Sequence, residues 1–170
     1  MKEIDFRYDL LPLKNQLFRL ALRITLDRAE AEDVTQDTLI RVWSKRGELD
    51  ADVSLEAYCM TVCRNLALDR HEKKEAQHLP LDEMTAETAD PSPTPDVQLE
   101  REEKLRRIHE LFDRLPEKQR SALQLRDIEG KSYRETAEVL NVTEEHVKVL
   151  IFRARQTLRR EYERIEQYGL

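Results

Sequence analysis

Between positions 148 and 160 the chain places Lys148, Arg153, Arg155, Arg159 and Arg160, with Val149, Phe152 and Gln156 interleaved and His146 just ahead. Cations of this kind seek phosphate oxygens, while amide, imidazole and apolar groups can meet base edges and the thymine methyl, so the chemistry on offer is recognition of nucleic acid. Something must hold those groups on one side. Val147, Leu150, Ile151, Ala154 and Leu158 fall at i, i+3, i+4, i+7 and i+11, which makes an apolar stripe on the opposite face of a helix running from Glu144 to about Glu161. Thr143 suits the N-cap, and Glu144 and Glu145 suit the positive end of the helix dipole. Upstream, SYRETAEVL forms a shorter amphipathic helix and NVT a three-residue break, the layout of a helix-turn-helix. A solvated, charged surface helix has the same composition, and on periodicity and charge the two readings stand level.

Composition narrows the setting. Three glycines in 170 residues, with 38% of residues charged, disfavour a β-sandwich or a Rossmann sheet and point to an all-α chain of two small helical domains. There is no apolar run long enough to span a bilayer, and MKEIDFRYDLLPLKNQ lacks the apolar core of a signal peptide, so the sequence predicts a cytoplasmic protein. Cys59 and Cys63 lie one helical turn apart; without a CxxC pair, and with histidines scattered at 71, 78, 109 and 146, they read as reduced packing residues, a metal or redox role being the minor alternative. No Ser/His/Asp set, glycine-rich phosphate loop or clustered metal ligands is present, so neither an enzyme nor a cofactor is expected.

The net charge of −6 runs against nucleic-acid binding until it is divided by region. Residues 1–74 hold 13 basic and 14 acidic side chains, residues 75–100 none and 7, and residues 101–170 16 and 14. The acidity is concentrated in the middle, and local field matters more to a groove than the total. That middle stretch, EAQHLPLDEMTAETADPSPTPDVQLE, carries four prolines and no sustained helical stripe, so residues 75–96 read as an extended linker between domains 1–74 and 97–170. In the first domain, helices are predicted over residues 12–26, about 29–45 and about 54–74, with the polar loop GELDADVS between the last two. In the second, helices over 97–115 and 117–129 precede the helix-turn-helix, punctuated by Pro116 and Gly130.

Three segments then line up. AEDVTQDTLIRVW (31–43), SLEAYCMTVCRNLALDR (54–70) and LPEKQRSALQLRDIEGKSYRETAEVLNVTEEHVKVLIFRARQTLR (115–159) together resemble the extracytoplasmic-function group of bacterial sigma-70-family RNA polymerase sigma factors. The resemblance covers nearly the whole chain, and the combination of DVTQD, RNLALD and FRAR is far more specific than a lone helix-turn-helix. It implies that the first domain is region 2, which binds the clamp coiled coil of the largest polymerase subunit and reads and opens the minus-10 element. The second would be region 4, which grips the flap of the second-largest subunit and reads the minus-35 element. An anti-sigma factor is an implied partner, and the rival reading is a stand-alone helix-turn-helix regulator.

The resemblance assigns roles residue by residue. Asp33, Gln36, Asp37, Leu39, Ile40 and Trp43 form the polymerase-binding set, acceptors beside an apolar and aromatic anchor, although Trp43 reads equally well as core. Tyr58, Arg64, Asn65, Arg70, Lys73 and Lys74 form the minus-10 set, Asn65 for a base edge and the cations for backbone, with GELDADVS as the pocket for an extruded base; an unpartnered surface amide is the alternative for Asn65. His146, Lys148, Val149, Phe152, Arg153 and Gln156 form the minus-35 set. Members commonly carry Gly-Thr where Glu145 and His146 stand, a base at Leu150 and Trp at Tyr58, so the promoter sequence cannot be copied from relatives. The resemblance implies that the acidic segment 75–100 either occupies the RNA path of the polymerase, a channel built to receive phosphates, until RNA displaces it, or acts as a plain tether.

Overall fold

The computed structural model describes residues 3–50, 52–76 and 96–168. Among them there are helices and no strands: α1 (Lys14–Thr25), α2 (Arg28–Ser44), α3 (Leu55–Ala76), α4 (Asp96–Asp113), α5 (Glu117–Leu123), α6 (Tyr133–Leu140) and α7 (Glu144–Tyr168). The middle of the predicted linker, 77–95, lies outside the described residues; its first two residues extend α3.

The first three helices form a bundle because each offers one apolar stripe. On α1 the residues Leu17, Leu20, Ala21 and Ile24 are wholly buried, with Leu10 and Leu13 of the preceding turns beneath them. α2 contributes Ala31, Val34, Leu39 and Val42, and α3 contributes Ala57, Cys59, Met60, Cys63 and Ala67. Three threonines are buried in this bundle, and each is satisfied locally: Thr35 and Thr38 donate to the carbonyls of Ala31 and Val34, at 2.7 Å each, and Thr25 to that of Ala21 at 2.9 Å. The corner between α1 and α2 is tight. Leu26 adopts a left-handed φ of 57°, its N–H closing on the Leu22 carbonyl, and Asp27 then caps α2 by accepting from Ala29 and Glu30 N–H at 3.0 and 3.2 Å.

In the second half α5 runs into a single π turn, Gln124–Ile128, so the predicted helix over 117–129 is present but widened at its end. Gly130, with φ 71°, turns the chain into α6. Asn141 at φ 55° ends α6, and the Thr143 hydroxyl accepts from His146 N–H at 3.1 Å to start α7. The last helix extends to Tyr168, beyond the predicted end near Glu161, because partly buried Leu158, Tyr162 and Ile165 continue its packing face, with α4 lying against it.

The two halves are docked. α5 lies against α1, α6 lies against α3, and the buried apolar residues of both halves form one contiguous cluster. Sequence periodicity gives no arrangement of this kind, since it reports which face is apolar and not what covers it.

Two consequences are measurable. The Asp27 carboxyl is held below the usual carboxylate range, first by its ion pair with Lys74 and then by the two capping N–H groups. Its stabilisation is therefore present above the ordinary carboxylate pKa and lost as pH falls through the lowered value. Denaturant titrations should show Asp27→Ala losing about 1–2 kcal/mol at neutral pH, whereas Asp27→Asn, which keeps the cap, should mainly flatten the acid limb. Burial pushes both thiols, Cys59 and Cys63, up to about 12, so at neutral pH almost no thiolate exists to react. A colourimetric disulfide reagent should label neither thiol in the native protein and both once denaturant unfolds it.

Candidate nucleic-acid and polymerase interfaces

Packing fixes the rotation of α7. Val147, Leu150, Ile151 and Ala154 are buried against the rest of the second half, which leaves His146, Lys148, Val149, Phe152, Arg153 and Gln156 on the open side. Phe152 is 65% exposed and Val149 43%, a large apolar display for a helix that has a core at its back. Leu150 belongs to the packing stripe, so a basic residue there would have to be buried.

Neighbouring elements steady this face. Ser132 caps α6 by accepting from Glu135 N–H at 3.0 Å, and its hydroxyl donates to the Glu135 carboxylate at 3.1 Å. Arg155 makes a two-pronged pair with Asp127, at 3.0 and 2.5 Å, that ties α7 to the π turn. The Tyr133 ring takes the Arg126 guanidinium at 4.2 Å and the Lys148 ammonium at 5.3 Å. Arg126 and Tyr133 thus join the edge of the open face beside Lys148. Periodicity did not single them out; the only hint was an aromatic directly after the Ser132 cap.

On α3 the six candidate minus-10 residues separate. At 100° per residue Tyr58, Asn65 and Lys73 share one face, Arg70 and Lys74 a second, and Arg64 a third. Tyr58 is half-buried against the core, while Asn65 and Lys73 are exposed. Arg70 reaches across to α2, where it pairs with Asp33 and Asp37 and, at 3.4 Å, with Glu30; Lys74 pairs with Asp27. Those carboxylates raise the Arg70 pKa, the hydrogen bond to Asp33 being the largest cause. Arg64 is 7% exposed and donates twice to Glu117 at 3.0 and 2.9 Å. In this arrangement it touches no solvent path that a phosphate could use. The loop expected to hold an extruded base packs through Leu49, leaves Val53 exposed, and uses the Ser54 hydroxyl to cap α3.

On α2 the open face carries Asp33, Gln36, Asp37 and Ile40, the last 62% exposed. Leu39, expected beside them, is 6% exposed and serves the protein's own core, because its position turns it 100° away from Ile40. Trp43 fits both of its readings in part: half-buried, its ring meets Phe6 edge-on at 5.6 Å and 81°, and carries Arg46 at 3.8 Å on its face. Among the described residues there is no group of three or more His, Cys, Asp or Glu that could hold a metal ion, and no helix is long and apolar enough to cross a membrane.

Known proteins share this arrangement. The family model for Sigma-70 region 2 matches residues 12–77, and that for Sigma-70, region 4 matches residues 105–158. The chain is 30% identical to the RNA polymerase sigma-H factor of Pseudomonas aeruginosa over 162 residues, 89% of this chain and 83% of that protein. It is 33% identical over 153 residues to a probable RNA polymerase sigma factor, RfaY, of Xanthomonas campestris, covering 87% of this chain but only 38% of that protein. In fold it is similar to the sigma factor RpoE solved with the anti-sigma factor NepR from Bartonella quintana, with TM-score 0.73 and 24% identity, over 95% of this chain and 98% of that one. It is also similar to CnrH solved with the cytosolic domain of CnrY, with TM-score 0.68 and 22% identity, over 93% and 87% of the two chains. The three-helix bundle with its acid-lined α2, followed by the helix-turn-helix of α6 and α7, belongs to the extracytoplasmic-function sigma factors of the sigma-70 family.

Proposed function

We propose that this chain is an alternative sigma factor whose reading of promoters is divided between two faces: the open side of α7 for the minus-35 element and the Tyr58, Asn65 and Lys73 face of α3 for the minus-10 element. The observation that carries the proposal is the outward face of α7, where Phe152 and Val149 stand exposed among Lys148, Arg153 and Gln156. Phe152 suits a thymine methyl and Arg153 a phosphate. Asn65, exposed midway along α3, suits the edge of an unstacked base; extruding that base costs a few kcal/mol, which stacking and one hydrogen bond can offset. Residues 1–74 act as the polymerase-binding and melting domain and residues 97–170 as the minus-35 domain, with the acidic segment between them entering the RNA path.

Core RNA polymerase is the obligatory partner. The α2 face suits the clamp coiled coil of the largest subunit, with Ile40 and the rim of Trp43 as apolar anchors and Asp33, Gln36 and Asp37 as acceptors. Arg70 already neutralises two of those acids, so docking must share or displace it. The second half meets the flap of the second-largest subunit, and an anti-sigma factor, of the kind named with the Bartonella quintana relative, covers one or both of these faces until release. All of this takes place in the cytoplasm, where the polymerase works.

Run-off transcription with purified core polymerase tests the reading. Phe152→Ala and Lys148→Ala should each lower transcript from a minus-35-dependent promoter roughly tenfold, in line with about 1–3 kcal/mol for a good base contact, while core pull-down stays unchanged. Ile40→Asp should do the reverse, weakening core binding about tenfold or more without disturbing the minus-35 preference of whatever complex remains. No transcript from any genomic fragment, together with no core binding by the unaltered chain, would overturn the proposal.

A further inference from the structure

Cations near the end of α3 are spent on α2. Asp27, Glu30, Asp33 and Asp37 follow one another at steps of three, three and four, which sets them along one side of α2. Lys74 takes Asp27, and Arg70 takes Asp33 and Asp37 together, with Glu30 at 3.4 Å. Around Arg70 the count is unequal: three carboxylates less one guanidinium leave an excess of two negative charges. A phosphate approaching Arg70 in this state meets repulsion. The layering is also ordered. The Arg70 side chain is 25% exposed, against 38, 59 and 43% for Glu30, Asp33 and Asp37, so the guanidinium lies beneath its acids and the acids face outward.

That layering lets a second cation in. Arg70 uses only Oδ2 of each aspartate, and a carboxylate has a second oxygen to offer. A cation arriving from outside therefore reaches both aspartates without first moving Arg70. Ile40, 62% exposed one turn beyond Asp37, gives such a partner an apolar anchor beside the acids. Once the outside cation binds, two positive groups share one pair of acids, and Arg70, on a long unbranched stem, is the one with somewhere else to go: exposed Lys73 is its neighbour one turn along α3. We propose that Arg70 is an exchanged cation: a basic surface of core polymerase docks on Asp33 and Asp37, takes over their neutralisation, and releases Arg70 to a phosphate of the minus-10 strand beside Lys73. The proposal rests on the sigma-factor reading above and couples its polymerase face on α2 to its DNA face on α3. It lies wholly within the first bundle and needs no movement at the junction of the halves, where Arg19 meets Glu129 and Arg23 meets Asp113. Such coupling is reciprocal: DNA that holds Arg70 leaves the acids to the polymerase, so promoter DNA tightens the grip on core.

The test uses the full chain, purified core polymerase and a forked minus-10 fragment. Arg70→Gln should bind core roughly threefold more tightly, because the internal competitor for the acids is gone. With core present, the same variant should hold the fork less tightly, and the slope of log affinity against log salt should become shallower by about 0.7–0.9, the loss of one phosphate contact. Without core, its slope should match that of the unaltered chain. Asp33→Asn with Asp37→Asn frees Arg70 by another route: the free chain should then bind the fork with a slope steeper by the same amount, and adding Arg70→Gln should cancel the gain. Circular dichroism confirms that helix content is kept. An arginine that only braces α3 against α2 predicts the opposite, so weaker core binding by a folded Arg70→Gln, or an unchanged slope in its core complex, overturns the exchange. If Arg70→Gln fails to fold, the aspartate pair decides, and an unchanged slope there overturns it equally. Run-off transcription separates the two ideas: an unaltered chain that binds core and transcribes while the variants miss these outcomes sinks only the exchange, whereas no transcript and no core binding by the unaltered chain sinks the sigma-factor reading itself.

Discussion

Each helix in this protein has one face it must bury, and that requirement decides which side chains are left for a partner. The effect is sharpest on α7. Burial of Val147, Leu150, Ile151 and Ala154 sets the helix rotation, and with it the outward set from His146 to Gln156. The caps at Ser132 and Thr143 and the Arg155–Asp127 pair brace α6 and α7 around this outward face. What the face offers is shape, charge and a small exposed apolar area held in register.

Charged residues are used in two different ways in the same fold. On the outer surfaces they stay solvated and available, as Lys73 and Arg153 do. Between helices they are partly desolvated and paired. Burial lowers the pKa of Arg23 and of Arg120, although both remain cations at any ordinary pH. Arg120 illustrates the structural use, donating to the carbonyls of Asp113 and Leu115 at 2.7 and 3.3 Å and so closing the turn between α4 and α5. A side chain cannot serve both ends at once, and Arg64 and Arg70 show the conflict: types suited to phosphate, occupied by Glu117 in one case and by the acids of α2 in the other.

What could be read from the residues alone varied with the number of neighbours. The stripe of α7 was legible because a single helix lying on a single core side needs only its own periodicity. The stripe of α1, from Leu13 to Ile24, was likewise legible, and the ends of α1 and α2 lie close to Asp27 and Gly47. On α3 periodicity was a poor guide to function. Helices pack on it from several sides, with α1 and α2 in its own half and α6 in the other, so residues that look like one cationic cluster in sequence point three ways. Leu39 and Ile40 make the same point on α2, where adjacent isomeric aliphatic side chains have opposite fates.

By itself, then, the sequence determined the helical class, the helix boundaries to within a few residues except at the end of α7, the acidic middle and the polarity of α7, because these depend on local spacing and composition. It also carried the family, through motifs whose order is linear. Only the tertiary structure decided that Arg70 shares the acids of α2, that Leu39 lies inside and Ile40 outside, and that Arg19, Arg23 and Arg64 join the two halves. Those facts depend on which side chains meet across long stretches of chain, and pairing at a separation such as Arg19 with Glu129 leaves no periodic trace in the chain. The reason is physical: a helix advertises its own apolar face in its spacing, but a charge advertises only that it needs a partner or water.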